Sequence, residues 1–396
     1  MILGASILQL PAIKKAKEMG LIPIVVDMDS NAIGFSESGV IKEIISTIDT
    51  DGILEAAKKH NIDGIMTLAT DMPMMSVAVV AHEMGLVGIS EDCALRATNK
   101  AAMRDALKAE NVPIPQYYKV NTFQEYVEAI KKIIGSGSRC ISKPSDSSGS
   151  RGIYLINDDS IKSLEKAYEY SKNNSHSGVI MVEEYMEGPE VSVETIALDG
   201  EIHVLQITDK ITTGAPYFVE MGHTQPSRLD SDIQNHIKEV AIAANKAIGI
   251  LNGPSHTEIK VMNNQPKIVE IGARMGGDFI TTHLVPLSTG IDMVKCSIQI
   301  AVGEKPNLTP VFSKAAAIRY FKQPVGKIVE IKDIDFIKKM PGVKQVSIVH
   351  GLGETVGEVK SSGDRIGFVI TQSNDSNKAA DEADDASNRL VVITDR

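Results

Sequence analysis

Short apolar runs alternate with segments of helical periodicity over residues 1 to about 97. MIL, IPIVV, GIMTL and LVGIS are the apolar runs, and apolar residues recur every three to four positions from about 7 to 19 and from about 75 to 84. Strands that alternate with helices in this order pair in a parallel sheet covered by helices. The pattern therefore predicts an N-terminal, doubly wound parallel sheet.

The pattern changes twice more along the chain. After residue 97 the β runs include hairpin signals, and strong amphipathic helices are predicted at about 123–134 and 230–249. From about 306 the chain has short β runs, many glycines, an acidic helix near 374–389 and a last strand, LVVIT. We expect an α/β and α+β protein of three parts, the last a small β-rich cap: 1–97, 98–305 and 306–396.

The stretch HTEIKVMNNQPKIVEIGARMGG predicts a hairpin with chemistry on one face. Centring its turn on Asn264 places Glu258 opposite Glu270, and side chains opposed across an antiparallel pair share a face. Two carboxylates so near to each other are unfavourable unless a cation lies between them. Mg²⁺ is the cation that oxygen ligands suit. Arg274 follows on the same face. The alternative is a surface hairpin whose charges are solvated.

A second motif, CISKPSDSSGSRGIYLI, suits a phosphate. Lys143 lies near the end of a predicted strand, and the small residues after it form a loop whose backbone N–H groups can bind an anion. No Gly-Lys-Ser/Thr follows and no helix begins there, so this is not a Walker A loop. The alternative is a plain linker, which is what Ser/Gly loops usually are.

Three other features are candidates for ligand contact. The strand VEEYM can offer backbone groups to a flat heterocycle, while Glu183, Glu184 and Glu190 are alternatively solvent-facing. His223 lies in an irregular loop, where it contacts a substrate or only forms a turn hydrogen bond. The amides of Gly276 and Gly277 can bind an oxyanion.

Composition excludes several classes of protein. A net charge of −10 and 4% aromatic residues disfavour nucleic acid as a partner. We find no apolar run of 18 residues and expect neither a membrane span nor a secretory signal. Three scattered cysteines are typical of reduced thiols, so we expect a cytoplasmic protein. The turn after the first strand lacks G-x-G-x-x-G, which disfavours a nicotinamide-dependent oxidoreductase.

In this order and spacing, the motifs resemble those of the ATP-grasp superfamily: Lys100, Lys143 with SDSSGSRG, VEEYMEGPE, and HTEIK with VEIGAR. PYFVEMGHTQPS and EIGARMGGDFI are similar to the carboxylate–amine ligases related to carbamoyl-phosphate synthase and biotin carboxylase, in particular the L-amino-acid (dipeptide) ligases. The resemblance implies that residues 98–305 form an ATP-grasp fold of two α+β subdomains.

The resemblance also implies roles for single residues. Lys100 and Lys143 would bind the phosphates of ATP, beneath the 145–152 loop with Ser148 and Gly149. Glu183 would bind the adenine amine, the backbones of Glu184 and Met186 the ring edge, and Glu190 the ribose.

The same comparison implies a metal and a substrate site. Glu258 and Glu270 would ligate Mg²⁺, with Mn²⁺ as the alternative. Arg274 would orient the carboxylate and stabilise the acyl phosphate, near His223, Gly276 and Gly277. Many members have Asn as a further metal ligand where this chain has Gly272, so a second metal would need water or a substrate oxygen in its place.

The implied reaction activates a carboxylate, of an amino acid, as an acyl phosphate and joins it to an amine, with ADP and phosphate as products. The rival hypotheses are an ATP-grasp carboxylase or purine-pathway ligase with the same ATP site, and an ATP-binding protein without catalysis. Small-molecule substrates and a homodimer are the expected partners.

Overall fold

The computed structural model describes residues 1–147, 149 and 151–395. Its N-terminal part holds strands β1 (Ile2–Leu3), β2 (Ile24–Val26), β3 (Ile41–Glu43) and β4 (Met66–Thr67), and helices α1 (Leu10–Glu18), α2 (Thr50–His60) and α3 (Met74–Met84). The strands pair in parallel in the order β3-β2-β1-β4. The predicted parallel sheet is confirmed, although α1 begins at Leu10 and not near residue 7.

Two helices lead into a second, antiparallel sheet. The elements are α4 (Glu91–Thr98), α5 (Lys100–Ala109), β5 (Tyr117–Val120), α6 (Phe123–Gly135), β6 (Cys140–Pro144), β7 (Tyr154–Ile156), α7 (Ile161–Lys172) and β8 (Ile180–Glu184). The strand order is β5-β8-β6-β7. Thr122 begins α6 with a reciprocal hydrogen-bonded box to Glu125, which explains why the helix starts at Phe123. We call this four-stranded sheet the phosphate wall.

The third layer is a long antiparallel sheet. It is built from β9 (Glu190–Leu198), β10 (Glu201–Thr212), β11 (Glu220–Gln225), β12 (Gly253–Met262) and β13 (Gln265–Gly272). Helix α8 (Ser231–Ile248) crosses between β11 and β12, and α9 (Val285–Thr289) and α10 (Met293–Ala301) follow the hairpin. We call this sheet the carboxylate wall, because its acidic side chains face the phosphate wall across a cavity.

The C-terminal part only partly forms a cap of its own. Its elements are β14 (Ala315–Tyr320), β15 (Gly326–Lys332), α11 (Ile334–Ile337), β16 (Val343–Ile348), β17 (Thr355–Val356), β18 (Gly367–Ser373), α12 (Ser376–Arg389) and β19 (Val391–Asp395). Strands β14, β18 and β16 extend the carboxylate wall to the order β13-β12-β9-β10-β11-β14-β18-β16, and β17-β15-β19 form a separate small sheet. Three strands expected in the cap therefore continue the central sheet.

The largest apolar core joins residues from both sides of position 97. Met74 and Cys93 lie in one cluster with Leu107, Val191 and Ile271. Helices α3 and α4 are thus packed against the carboxylate wall, while the boundaries near 97 and 305 stay predictions. No helix in the described part of the chain is long and apolar enough to cross a membrane.

Candidate active site

A cavity of about 360 Å³ lies between the two walls and a loop of the N-terminal sheet. It brings together most of the side chains predicted for the site. These are Lys100, Lys143, Gly149, Glu183, Glu184, Met186, Glu190, His223, Glu258, Glu270, Arg274 and Gly277. Ser148 lies outside the described residues. Residues separated by 177 positions in the chain therefore share one cavity.

The turn of the β12–β13 hairpin is tighter than the sequence predicted. Asn263 and Asn264 occupy it alone, with φ of +51° and +61°. Asn tolerates the left-handed region better than most residues, and two such residues in succession make the turn that joins twisted strands. A regular ladder from this turn would pair Glu258 with Val269, one residue short of the predicted partner.

A β-bulge at Val269 corrects this register. Ile259 pairs with Ile268, and then Glu258 pairs with Glu270, so one residue is left over. The Val269 carbonyl accepts a hydrogen bond of 2.8 Å from Arg104 Nη2. The opposition of Glu258 and Glu270 is confirmed, but it depends on the bulge, because a one-residue shift would send Glu270 to the other face.

On the carboxylate wall, one buried lysine holds three acidic side chains. Lys210 Nζ lies 2.7 Å from Glu258 Oε1, 2.9 Å from Glu190 Oε1 and 3.4 Å from Glu220 Oε1. Burial opposes the charge on Lys210, but Glu190, Glu258 and Glu220 outweigh it and raise its pKa well above the usual value. Sequence reasoning missed Lys210, because a lysine on a strand is normally solvent-facing and nothing local indicates otherwise.

His256 supports Glu258 from the other side. Its Nε2 lies 3.4 Å from Glu258 Oε1, and its Nδ1 lies 2.7 Å from Glu194 Oε1. Burial opposes protonation, yet Glu194 outweighs it and raises the pKa of His256 to about 9. A Cβ on Gly276 would lie only 2.5 Å from His256 Nδ1, so Gly276 leaves room for this ring. His256 and Glu194 were also missed.

Lys100 joins the hairpin to the predicted phosphate loop. Its Nζ lies 2.8 Å from Glu270 Oε1 and donates to the Ser147 carbonyl at 2.7 Å. Its backbone N–H donates to the Ser145 carbonyl at 2.6 Å. The predicted proximity of Lys100, the loop and Glu270 thus comes from direct contacts.

A buried ion triad joins helix α5 to the phosphate wall. Arg104 Nε lies 2.8 Å from Glu183 Oε1, and Lys143 Nζ lies 2.6 Å from Glu183 Oε2. Burial favours the protonated acid, but Arg104 and Lys143 outweigh it and hold the pKa of Glu183 at about 2. Burial lowers the pKa of Lys143. The carboxylate predicted to bind the adenine amine is thus engaged by two cations, and its adenine contact stays a prediction.

At the other end of the cavity, Arg274 is paired with the N-terminal loop. Its Nε and Nη2 each lie 2.9 Å from one oxygen of Asp71. A Cβ on Gly272 would lie 2.9 Å from Asp71 Oδ1 and 3.3 Å from the guanidinium carbon. Glycine at 272, the departure from the family pattern, is therefore the residue that leaves space for this pair.

His223 lies on strand β11, and not in the irregular loop that the sequence predicted, beside an ion pair between Asp278 and Arg365. It is fully buried, and neither ring nitrogen has a hydrogen-bond partner among the residues described, while Nε2 lies 3.6 Å from Asp278 Oδ2. Arg365 grips both oxygens of Asp278 at 2.8 Å. The guanidinium of Arg365 also stacks 3.6 Å from the centre of the Tyr320 ring, whose hydroxyl has no described partner. Unpartnered polar atoms beside a cavity are typical of a ligand site.

The opposed carboxylates fit a hard divalent cation. Glu258 and Glu270 offer oxygen donors on one face of the hairpin, and their lysine contacts both use Oε1. Within the described ranges no group of three or more His, Cys, Asp or Glu could hold a metal. Two carboxylates are nevertheless what Mg²⁺ takes when substrate phosphates complete its shell.

Comparisons with known proteins agree with this geometry. Residues 136–283 match the family model of the ATP-grasp domain, and residues 319–395 match the L-amino acid ligase C-terminal domain 2. The L-arginine-specific L-amino acid ligase of Bacillus subtilis is 29% identical over 323 residues, which cover 78% of this chain and 75% of the relative. The alanine–anticapsin ligase of Bacillus subtilis strain 168 is 28% identical over 63% of this chain and 56% of its own length.

A solved structure gives the same fold. The L-amino acid ligase from Bacillus licheniformis superposes with a TM-score of 0.85 at 21% identity, covering 100% of this chain and 98% of that one. The chain contains an ATP-grasp domain, as its motifs predicted. Among proteins with this domain it is an ADP-forming carboxylate–amine ligase with the C-terminal domain of the L-amino acid ligases.

Proposed function

We propose that this chain uses ATP to activate the carboxylate of one amino acid and joins it to the amine of a second. The observation that carries the proposal is the opposition of Glu258 and Glu270 across a cavity from Lys143. The match of residues 319–395 to the L-amino acid ligase domain supports amino acids as substrates over bicarbonate or a purine precursor.

The first step requires ATP because a carboxylate is a poor acyl donor. Its oxygen leaves only after the γ-phosphoryl group has converted it to phosphate, and this transfer depends mainly on positioning and charge neutralisation. Lys100 and Lys143 would hold the phosphates, and the 145–152 loop with Ser148 and Gly149 would cover them. Glu258 and Glu270 would hold Mg²⁺ or Mn²⁺, which when bound neutralises phosphate charge.

The nucleoside would lie along the edge of β8. The backbones of Glu184 and Met186 would contact the adenine ring and Glu190 the ribose. Glu183 would reach the adenine amine only by sharing oxygens that Arg104 and Lys143 now hold.

In the second step the amine attacks the acyl carbon and phosphate leaves. The tetrahedral oxyanion needs positive or N–H donors, and Arg274 with the amides of Gly276 and Gly277 would supply them. His223 would contact a substrate. Because acyl phosphates hydrolyse in water, the 145–152 loop would also act as a lid.

The proposal extends to the organisation of the protein. We propose parts at 1–97, 98–305 and 306–396 that act together in one cytoplasmic enzyme, and a homodimer through the first part. Sedimentation at several protein concentrations tests the dimer.

The direct test is ADP formation with all pairs of the standard amino acids, followed by mass analysis of any product. Bicarbonate with single amines serves as the comparison reaction. We expect ADP and a product of the summed masses less water for at least one pair. ADP formation with bicarbonate alone would instead identify a carboxylase, and no substrate-dependent ADP would contradict both.

A further inference from the structure

Asp71 reaches the candidate active site from a different sheet than its partner. It follows β4 of the N-terminal sheet, whereas Arg274 follows β13 of the carboxylate wall. The two form a bidentate pair with both N–O distances at 2.9 Å, and both side chains are 16% exposed at the cavity surface. This planar fork is the strongest geometry by which a carboxylate can fix an arginine.

The loop that carries Asp71 is itself firmly held. Gln9 Nε2 donates to the Leu68 carbonyl at 2.6 Å, and the Asp71 carbonyl accepts from the Met74 N–H at 3.1 Å where α3 begins. Ala69 has a φ of +61°, an unfavourable backbone conformation for a residue with a Cβ. Ala69, Thr70 and Asp71 all line the cavity. Residues other than glycine that adopt such conformations cluster at functional sites, where the surrounding contacts maintain them.

Gly272 provides a second, independent sign that the pair is built into the site. Its φ lies outside the left-handed region, so the backbone itself does not require glycine there. A Cβ would nevertheless meet Asp71 Oδ1 at 2.9 Å and Arg274 at 3.3 Å. The side chain is therefore excluded by the ion pair and by nothing in the chain's own conformation.

The contacts divide the donors of Arg274. Asp71 takes Nε and one N–H of Nη2, and the Met275 carbonyl lies 3.3 Å from Nη1. Of the five N–H donors of a guanidinium, this leaves one on each terminal nitrogen. These remaining N–H groups, on the two terminal nitrogens, are the donors that Arg274 can offer to the oxygens of a carboxylate or a phosphate.

We propose that Asp71 is a positioning residue for Arg274: it grips one edge of the guanidinium so that the opposite edge meets the oxyanion of the activated carboxylate. The inference rests on the proposed function, since it assigns Arg274 to that oxyanion. It adds a residue that follows the N-terminal sheet to a site whose other assigned charged groups lie at positions 100 to 274. The N-terminal sheet would thereby be needed for the chemical step itself.

The test measures kcat, KM for each substrate and ADP affinity for the full-length chain and its variants. Asp71→Asn keeps the size of the side chain and loses its charge, and we expect kcat to fall about 10- to 100-fold. ADP affinity should stay within about 2-fold, because Asp71 contacts no residue assigned to the nucleotide. Gly272→Ala should reproduce the fall in kcat, since its Cβ would displace the pair.

A second background separates positioning from plain stabilisation. Arg274→Lys keeps the charge but cannot be gripped by two parallel hydrogen bonds. In that background Asp71→Asn should change kcat by less than about 2-fold, because there is no fork left to position. If the ion pair only stabilised the fold, Asp71→Asn would lower kcat by the same factor in the wild-type and Arg274→Lys chains, and it would lower the melting temperature of both. That result would overturn the inference.

The control is another ion pair that joins the N-terminal part to the rest of the chain. Lys15 lies 2.9 Å from Asp292 outside the cavity, and Lys15→Ala should leave kcat, KM and ADP affinity unchanged. An Asp71→Asn variant with wild-type kcat would also overturn the positioning role. If the wild-type chain forms no ADP with any carboxylate and amine, the proposed function fails and this inference with it.

Discussion

The two walls of the cavity carry opposite excess charge. At the phosphate wall two cations, Arg104 of the adjoining helix α5 and Lys143 of β6, share one carboxylate, that of Glu183. On the carboxylate wall one cation, Lys210, is shared by three carboxylates, those of Glu190, Glu220 and Glu258. Both shared groups have side chains that are only 2% exposed, so neither excess is screened well by water.

This difference shows how a site can suit a metal–nucleotide complex, which carries both signs. A surplus of positive charge favours phosphate oxygens, and a surplus of negative charge favours a divalent cation. Each wall keeps counter-charge beside its surplus, which lowers the cost of burial in the absence of a ligand. The predictions below change one wall at a time.

The largest effect on activity is expected at the β12–β13 hairpin of the carboxylate wall and at Arg274, which follows it. Glu270→Ala and Arg274→Ala should each reduce ADP release by about 10²- to 10³-fold or more. The first removes a proposed ligand of Mg²⁺, and the second removes the cation assigned to the oxyanion of the transition state. ADP release and the melting curve are measured together, with the exposed Glu201→Ala as the control. Wild-type turnover in either variant would exclude that residue from the site.

A loss of stability should follow when the carboxylate wall loses its cation. Lys210→Met removes the cation that Glu190, Glu220 and Glu258 share. The described ion pairs left to these acids are the 3.4 Å contacts of Glu190 with Lys260 and of Glu258 with His256. The variant should therefore destabilise the fold by about 3–5 kcal/mol, measured by urea unfolding. Added Mg²⁺ should restore part of the loss in this variant, since the wall then lacks positive charge. Lys305→Met removes only the exposed pair with Asp199 and should unfold like the wild type. An equal effect of Mg²⁺ on both variants would show that the wall's charge is not the cause.

At the phosphate wall, the stabilising effect of Glu183 should depend on pH. The pKa of Glu183 falls from its ordinary 4.5 to about 2 in the folded chain, so its stabilising effect is fully present above pH 4.5 and is lost as the pH falls toward 2. Glu183→Gln should therefore be less stable than the wild type at neutral pH, and the difference in unfolding free energy should vanish across that range. If Glu183→Gln and the wild type differed in unfolding free energy by the same amount at neutral pH and near pH 2, the ion triad would be contradicted. Added Mg²⁺ should not rescue this variant.

The smallest effect is expected for a single phosphate contact. Lys143→Ala should weaken ATP binding by about 10- to 100-fold, as expected for one charged hydrogen bond, while Arg104 keeps Glu183 neutralised. A nucleotide titration measures it, with Lys172→Ala, on the outer helix α7, as the control. Unchanged affinity would count against the phosphate loop.

Much of the fold was predictable because its signals are local. The alternation of strands and helices before residue 97, the cap at Thr122 and the Asn-rich turn each depend on neighbours in the chain. The opposition of Glu258 and Glu270 was predicted for an incomplete reason, since the turn alone gives the wrong register. The bulge that corrects it is bonded to Arg104, which lies 165 positions earlier.

The partners of the predicted residues were not predictable in the same way. Lys210, Asp71 and Arg365 have no motif, and their importance lies in which oppositely charged side chain each one reaches. Strand periodicity states only that a side chain faces in or out. It does not state which other strand lies opposite.

The sequence by itself determined the order of the motifs, the class of enzyme and the acidic, lysine and arginine side chains of its site. The tertiary structure alone decided how these charges are shared. Two cations contact Glu183, three acids contact Lys210, and Asp71 from the N-terminal sheet contacts Arg274. The physical reason is that burial makes each charge depend on its nearest counter-charge, and nearest neighbours in a sheet protein are set by strand order and register.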